Sequence, residues 1–83
     1  MITVLFFAGL REAVGTSSET LALPVGVSTV VALRDHFVAR GGTWQALATA
    51  KNLRAAVNQD MVPLTTAIND GDEVAFFPPV TGG

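Results

Sequence analysis

The two most β-prone runs of this chain lie at its opposite ends, with one amphipathic helix between them. Ile2-Thr3-Val4-Leu5-Phe6-Phe7 and Glu73-Val74-Ala75-Phe76-Phe77 are rich in the β-branched and aromatic residues that pack on a pleated sheet. The second run follows Asp70-Gly71-Asp72, a strong turn signal. It ends at Pro78-Pro79, which have no N–H to donate to a ladder. Between the two runs, Val30, Leu33 and Phe37 recur at helical spacing, with Val38 beside them and Arg34 and Asp35 off the stripe. This pattern predicts a helix over residues 29–40. Ser28 is the expected N-cap, Arg40 complements the negative end of the helix dipole, and Gly41-Gly42 are expected C-cap residues.

The remaining segments are short. A helical turn is expected between Gly9 and Gly15, a second strand over residues 20–23 stopped by Pro24, and a crossover with one helical or irregular turn over residues 43–52. A strand over residues 54–58 follows, and Gln59-Asp60 is read as a tight turn into Met61-Val62-Pro63. Strands with a segregated helix indicate an α+β domain. The economical arrangement is a β-grasp, ubiquitin-like fold: a mixed sheet whose first strand lies centrally and pairs with the last, one main helix on one face, and an extended C-terminal tail. The expected division is a domain over residues 1–77 and a tail over residues 78–83.

Eighty-three residues without a cysteine must be held by a thin core, with no disulfide and no thiolate metal ligand. The formal charge of −2 with five scattered basic residues argues against nucleic-acid binding, which rests on cations neutralising phosphates. No apolar run approaches the roughly 20 residues that span a bilayer, and the N-terminal run lacks a basic leader. A cytoplasmic protein without a membrane partner is expected.

Strand alternation sorts the apolar residues by face. If Ile2, Val4, Phe6, Val74 and Phe76 pack beneath the helix, then Leu5, Phe7, Ala75 and Phe77 point the other way, and Met61 is placed with them. A single helix covers one face only, and large apolar residues clustered on an uncovered face mark a partner site. The competing expectation is that the crossover over residues 43–52 covers it.

Beyond Phe77, Pro78 and Pro79 force the chain out of the sheet and favour extended polyproline II geometry. Residues 78–83 can reach about 20 Å, and after Val80 and Thr81 the chain thins to Gly82-Gly83, which have no Cβ to obstruct a narrow channel. The Gly83 carboxylate, with a reference pKa of about 3.5, is ionised at neutral pH and is a competent nucleophile toward the α-phosphate of ATP. An acyl-adenylate formed there could accept sulfur as a thiocarboxylate. The tail is expected to be mobile without a partner.

Other chemistry finds little support. His36 has no metal-ligating constellation around it, Asp70, Asp72 and Glu73 lack the further loop ligands of a calcium site, Ser17-Ser18 has no base nearby in sequence, and no phosphate-cradling glycine loop is present. No metal and no bound cofactor is expected.

The run from Met1 to Ala8, with Arg11-Glu12 and Val14-Gly15, resembles the start of the small subunit of molybdopterin synthase. Ala55-Ala56-Val57-Asn58-Gln59 and the whole run from Asp70 to Gly83 resemble that family more closely, and the likeness extends end to end. The resemblance implies a β-grasp sulfur carrier that is not an enzyme by itself. An E1-like adenylyltransferase would activate Gly83 with ATP, and a sulfur donor protein would convert it to a thiocarboxylate. The tail of Pro78, Pro79, Val80, Thr81, Gly82 and Gly83 would then enter the large catalytic subunit of a heterotetramer, which builds the dithiolene of molybdopterin from cyclic pyranopterin monophosphate. Phe77 and Met61 match apolar contact positions of that family. A thiamine-type sulfur carrier, a ubiquitin-like protein modifier and a β-grasp interaction module with an incidental Gly-Gly end are the alternatives.

Overall fold

The computed structural model describes residues 1–79. Five strands form one mixed sheet in the order β2-β1-β5-β3-β4: β1 (Ile2–Phe6), β2 (Ser18–Leu21), β3 (Arg54–Val57), β4 (Asp60–Val62) and β5 (Glu73–Phe77). The two runs from the chain's ends lie side by side, β1 parallel to β5, with Val4 opposite Val74 and Phe6 opposite Phe76. All other pairings are antiparallel. This is the expected β-grasp sheet.

All helical segments lie on one face. Helix α2 (Val30–Val38) buries Val30, Leu33 and Phe37 against Ile2, Val4, Phe6, Val74 and Phe76, all essentially inaccessible to solvent. Helix α1 (Ala8–Val14) contributes Leu10 and Val14. The crossover forms a 3₁₀ turn (Gly42–Gln45) and a single turn, α3 (Ala46–Thr49), that buries Leu47. The crossover therefore packs beside α2, with Trp44 stacked on Phe37 at 5.1 Å and edge-on to Phe6 at 5.5 Å, and leaves the opposite sheet face uncovered.

Three local expectations are corrected. Thr29, not Ser28, caps α2: its Oγ1 accepts the Ala32 N–H at 3.2 Å. The Ser28 carbonyl is instead engaged by the Ile68 N–H, and Thr29 bridges Ala67. That segment also supplies carbonyls of Thr66 and Leu64 to the Val30 and Val31 N–H groups, satisfying helix donors that would otherwise be orphaned. The second strand is Ser18–Leu21 rather than residues 20–23, because Leu21 already faces Ile2, the first residue of β1, and the Met1 carbonyl is taken by the Gly71 N–H. The β3–β4 turn is centred on Asn58-Gln59, not Gln59-Asp60. Both residues have positive φ, +50° and +73°, as a type I′ hairpin requires. Asn58 also ties this turn to the one before β5, its side chain donating to Asp72 at 3.0 Å and accepting from the Glu73 N–H at 3.0 Å.

One ion pair crosses the helical layer. Arg40, just beyond α2, donates to both carboxylate oxygens of Glu19 on β2 at 2.8 and 2.5 Å. Its guanidinium lies 4.6 Å from the Phe37 ring centroid and 4.8 Å from that of Trp44. The Arg40 hydrogen bonds hold the Glu19 carboxyl below its ordinary range.

Two outcomes follow from this packing. Phe37→Ala should cost about 3–5 kcal/mol, a large share of the stability of so small a domain, measured by urea unfolding. Glu19→Gln should cost about 0.5–1 kcal/mol at neutral pH, as expected of a partly exposed pair. The Glu19 contribution is present above the ordinary carboxylate pKa of 4.5 and is lost as pH falls through the lower folded value. Melting curves of the parent and Glu19→Gln should therefore converge on acidification below pH 4.5.

Candidate docking face and tail exit

The uncovered face is built from the alternate residues of the same strands. The register sets Leu5 of β1, Ala75 of β5, Ala56 of β3 and Met61 of β4 in one row across the sheet. Phe77 lies opposite Arg54 in the next row toward the tail. Phe7 follows directly on β1, its N–H bonded to the Phe76 carbonyl at 3.1 Å. Ala8 then adopts φ +52°, a left-handed conformation that costs a non-glycine residue about 1–2 kcal/mol, and turns the chain into α1. Leu5, Phe7, Ala75, Phe77 and Met61 therefore share one face, as strand alternation predicts.

Their exposure is uneven. Met61 is 59% and Phe7 46% exposed, whereas Ala75 and Ala56 are only 9% and 8% exposed because larger neighbours overhang these small side chains. Ala75 is thus the floor of the patch rather than a projecting contact. Neither alanine belongs to the helix-side core. The patch is a second, unpartnered apolar surface.

At one end of this face the chain leaves the sheet. Continuing the β3–β5 register past Arg54 and Phe77 sets Leu53 beside Pro78 and Asn52 beside Pro79. Neither proline can donate to the ladder, and Asn52 turns away with φ +55°. An open groove of about 550 Å³ lies there, lined by Asn52, Leu53, Arg54, Met61, Val62, Pro63, Leu64 and Pro79. Pro78 and Pro79 are half-buried, so the first two residues after β5 still lie against the domain. The roles expected of Val80, Thr81, Gly82 and Gly83, and the expected mobility of the tail, lie outside the described residues.

The groove residues other than Met61 and Pro79 were not legible as a site. Leu53 is buried in the core and Leu64 is packed against it, while Pro63 directly follows β4. Their convergence depends on the hairpin register. Among the described residues there is no group of three or more His, Cys, Asp or Glu side chains able to hold a metal, and no polar or charged residue is buried. His36 sits on α2, on the helical side of the sheet, edge-on to Phe37. No described helix is long and apolar enough to cross a membrane.

The sequence profile of the ThiS family matches residues 4–83. The chain belongs to the ThiS family. It is 51% identical to the molybdopterin synthase sulfur carrier subunit of Escherichia coli over 83 residues, covering 100% of both chains. It is 42% identical to the Haemophilus influenzae protein of the same name, again over 100% of both. Among solved structures, the small archaeal modifier protein SAMP1 of Haloferax volcanii aligns with a TM-score of 0.69 at 28% identity, over 99% of this chain and 98% of that one.

Because Phe7 and Met61 lie outside the core and about half of each is exposed, Phe7→Ser and Met61→Ser should each alter unfolding free energy by no more than about 0.5 kcal/mol. Equilibrium denaturation of these two ThiS-family variants distinguishes a docking surface from a hidden part of the core.

Proposed function

We propose that this chain is the sulfur carrier subunit of a molybdopterin synthase, working through the carboxylate of Gly83. The observation that carries the reading is 51% identity, over the full length of both chains, to a sulfur carrier subunit of that enzyme. The sheet's geometry agrees with it: the apolar face and the tail exit adjoin at Phe77 and Arg54, so a protein seated on the face lies where the tail departs.

The chemistry takes place at the terminus. An E1-like partner directs a Gly83 carboxylate oxygen onto the α-phosphate of ATP, releasing pyrophosphate and forming an acyl-adenylate. Sulfide-level sulfur from a donor protein attacks the acyl carbon and AMP departs, leaving a thiocarboxylate. In the large subunit that sulfur passes to cyclic pyranopterin monophosphate, and water restores the carboxylate. A dithiolene holds two sulfurs and each terminus carries one, so two transfers complete one product. The domain supplies recognition and delivery, and the large subunit supplies catalysis.

A second reading, a ubiquitin-like protein modifier, draws on the likeness to a small archaeal modifier protein. It requires an isopeptide bond between Gly83 and a target lysine. The two readings share the adenylate and part at its fate.

With the activating enzyme, ATP and a sulfide source, the chain should gain the mass of one oxygen replaced by sulfur, and the product should support molybdopterin formation with the large subunit. Deleting Gly83, or adding one residue after it, should abolish transfer while leaving the melting temperature unchanged. An unchanged mass beside a demonstrably active E1-like enzyme contradicts the reading, and adducts on lysine would favour the modifier.

A further inference from the structure

Charge in this domain is sorted along the strand direction. Of the five Lys and Arg residues, Arg34 pairs with Asp35 and Arg40 with Glu19. Arg11, Lys51 and Arg54 join no ion pair among the described residues, and all three are exposed. The topology brings these three to the end of the sheet where β5 gives way to Pro78. Arg11 lies on α1 just after β1, its N–H bonded to the Phe7 carbonyl at 3.4 Å. Lys51 directly precedes Asn52 of the groove, and Arg54 lines that groove opposite Phe77. One carboxylate, Glu12, accompanies them on α1.

The other end of the sheet is acidic. Asp60 lies opposite Val57, which lies opposite Val74, and Glu73 lies opposite Thr3. The Asp72 carbonyl accepts the Thr3 N–H at 3.1 Å, and Asp70 meets the Met1 amine. Glu73 and Phe77 mark the two ends of β5, about 13 Å apart at the rise of a strand. That exceeds the Debye length of about 8 Å at physiological ionic strength. A partner arriving at one end therefore feels the charge of that end with little cancellation from the other.

We propose that the cationic rim of Arg11, Lys51 and Arg54 matches an acidic rim on the large subunit, around the opening that admits the tail. This deepens the sulfur-carrier reading and rests on it. The apolar face supplies the buried contact, while the charged rim orients the encounter, so that the tail end approaches first and the acidic end is repelled. Exposed pairs of this kind act chiefly on the rate of association and little on residence time. A nucleic acid is the less suitable polyanion, since counterion release at three cations gives little affinity and the chain carries a formal charge of −2.

Stopped-flow association of the full chain with the large subunit, over a range of ionic strength, tests this. Raising salt from about 20 mM to about 500 mM should slow the parent at least about tenfold. The double variant Lys51→Glu, Arg54→Glu should associate about tenfold more slowly at low salt, and dissociate within about twofold of the parent rate. At high salt the two association rates should converge. Asp60→Lys, the opposite reversal at the far end, should not slow association. Thermal melts check that the variants remain folded. A double variant that associates at the parent rate, or faster, overturns the acidic rim and spares the carrier reading; absence of any complex at all salts overturns both. Binding of the parent to a duplex oligonucleotide at physiological salt, lost in the double variant, would assign these cations to nucleic acid and overturn the proposal.

Discussion

The molecule depends on the parallel pairing of its first and last strands. Val4 beside Val74 and Phe6 beside Phe76 join segments seventy residues apart, and closing so long a loop carries an entropic cost that only non-local burial can offset. Phe6 brings that return, meeting Phe37, Trp44 and Phe76 with ring centroids 5.5–6.2 Å away. Antiparallel strands then extend the sheet on either side. With no cysteine in the chain, this aromatic cluster and the aliphatic residues around it stand where a disulfide would in many small domains.

The same pairing divides the chemistry of the domain into two faces. Because alternate side chains point to opposite sides, each residue that anchors the core has a neighbour delivered to the other surface: Leu5 beside Phe6, Ala75 beside Phe76, Phe77 beyond it. Helices can be packed on one face while the other remains available to a partner. The strand that completes the core also ends in Pro78-Pro79, with Pro79 lining the groove at the edge of that available face. The buried face and the exposed one are thus set by one register.

Most of this was legible in the sequence because period-two alternation is strongest where burial is greatest. Both central strands, the helix stripe of Val30, Leu33 and Phe37, and the uncovered residues Leu5, Phe7 and Phe77 could all be placed from pattern. The edges were not. Ser28 has the chemistry of an N-cap, but its carbonyl is recruited by Ile68, a tertiary contact invisible to local reading. The extent of β2 is set by where β1 begins. The type I′ turn uses Asn58-Gln59, without the glycine that usually announces it. The groove at Pro79 depends on β4 lying against β3, so no single segment discloses it. The terminal Gly-Gly gains meaning only from the prolines before it and the apolar surface beside them.

In the proposed function the working group is the carboxylate of Gly83, and the domain is its handle. Intact-mass analysis of the protein taken directly from cells, under conditions that preserve thioacids, addresses this most directly. The expected result is a chain ending at Gly83, with a fraction heavier by one oxygen-to-sulfur exchange located on the last residue. A chain continuing past Gly83, or one carrying only the unmodified carboxylate in cells actively making molybdopterin, would contradict it.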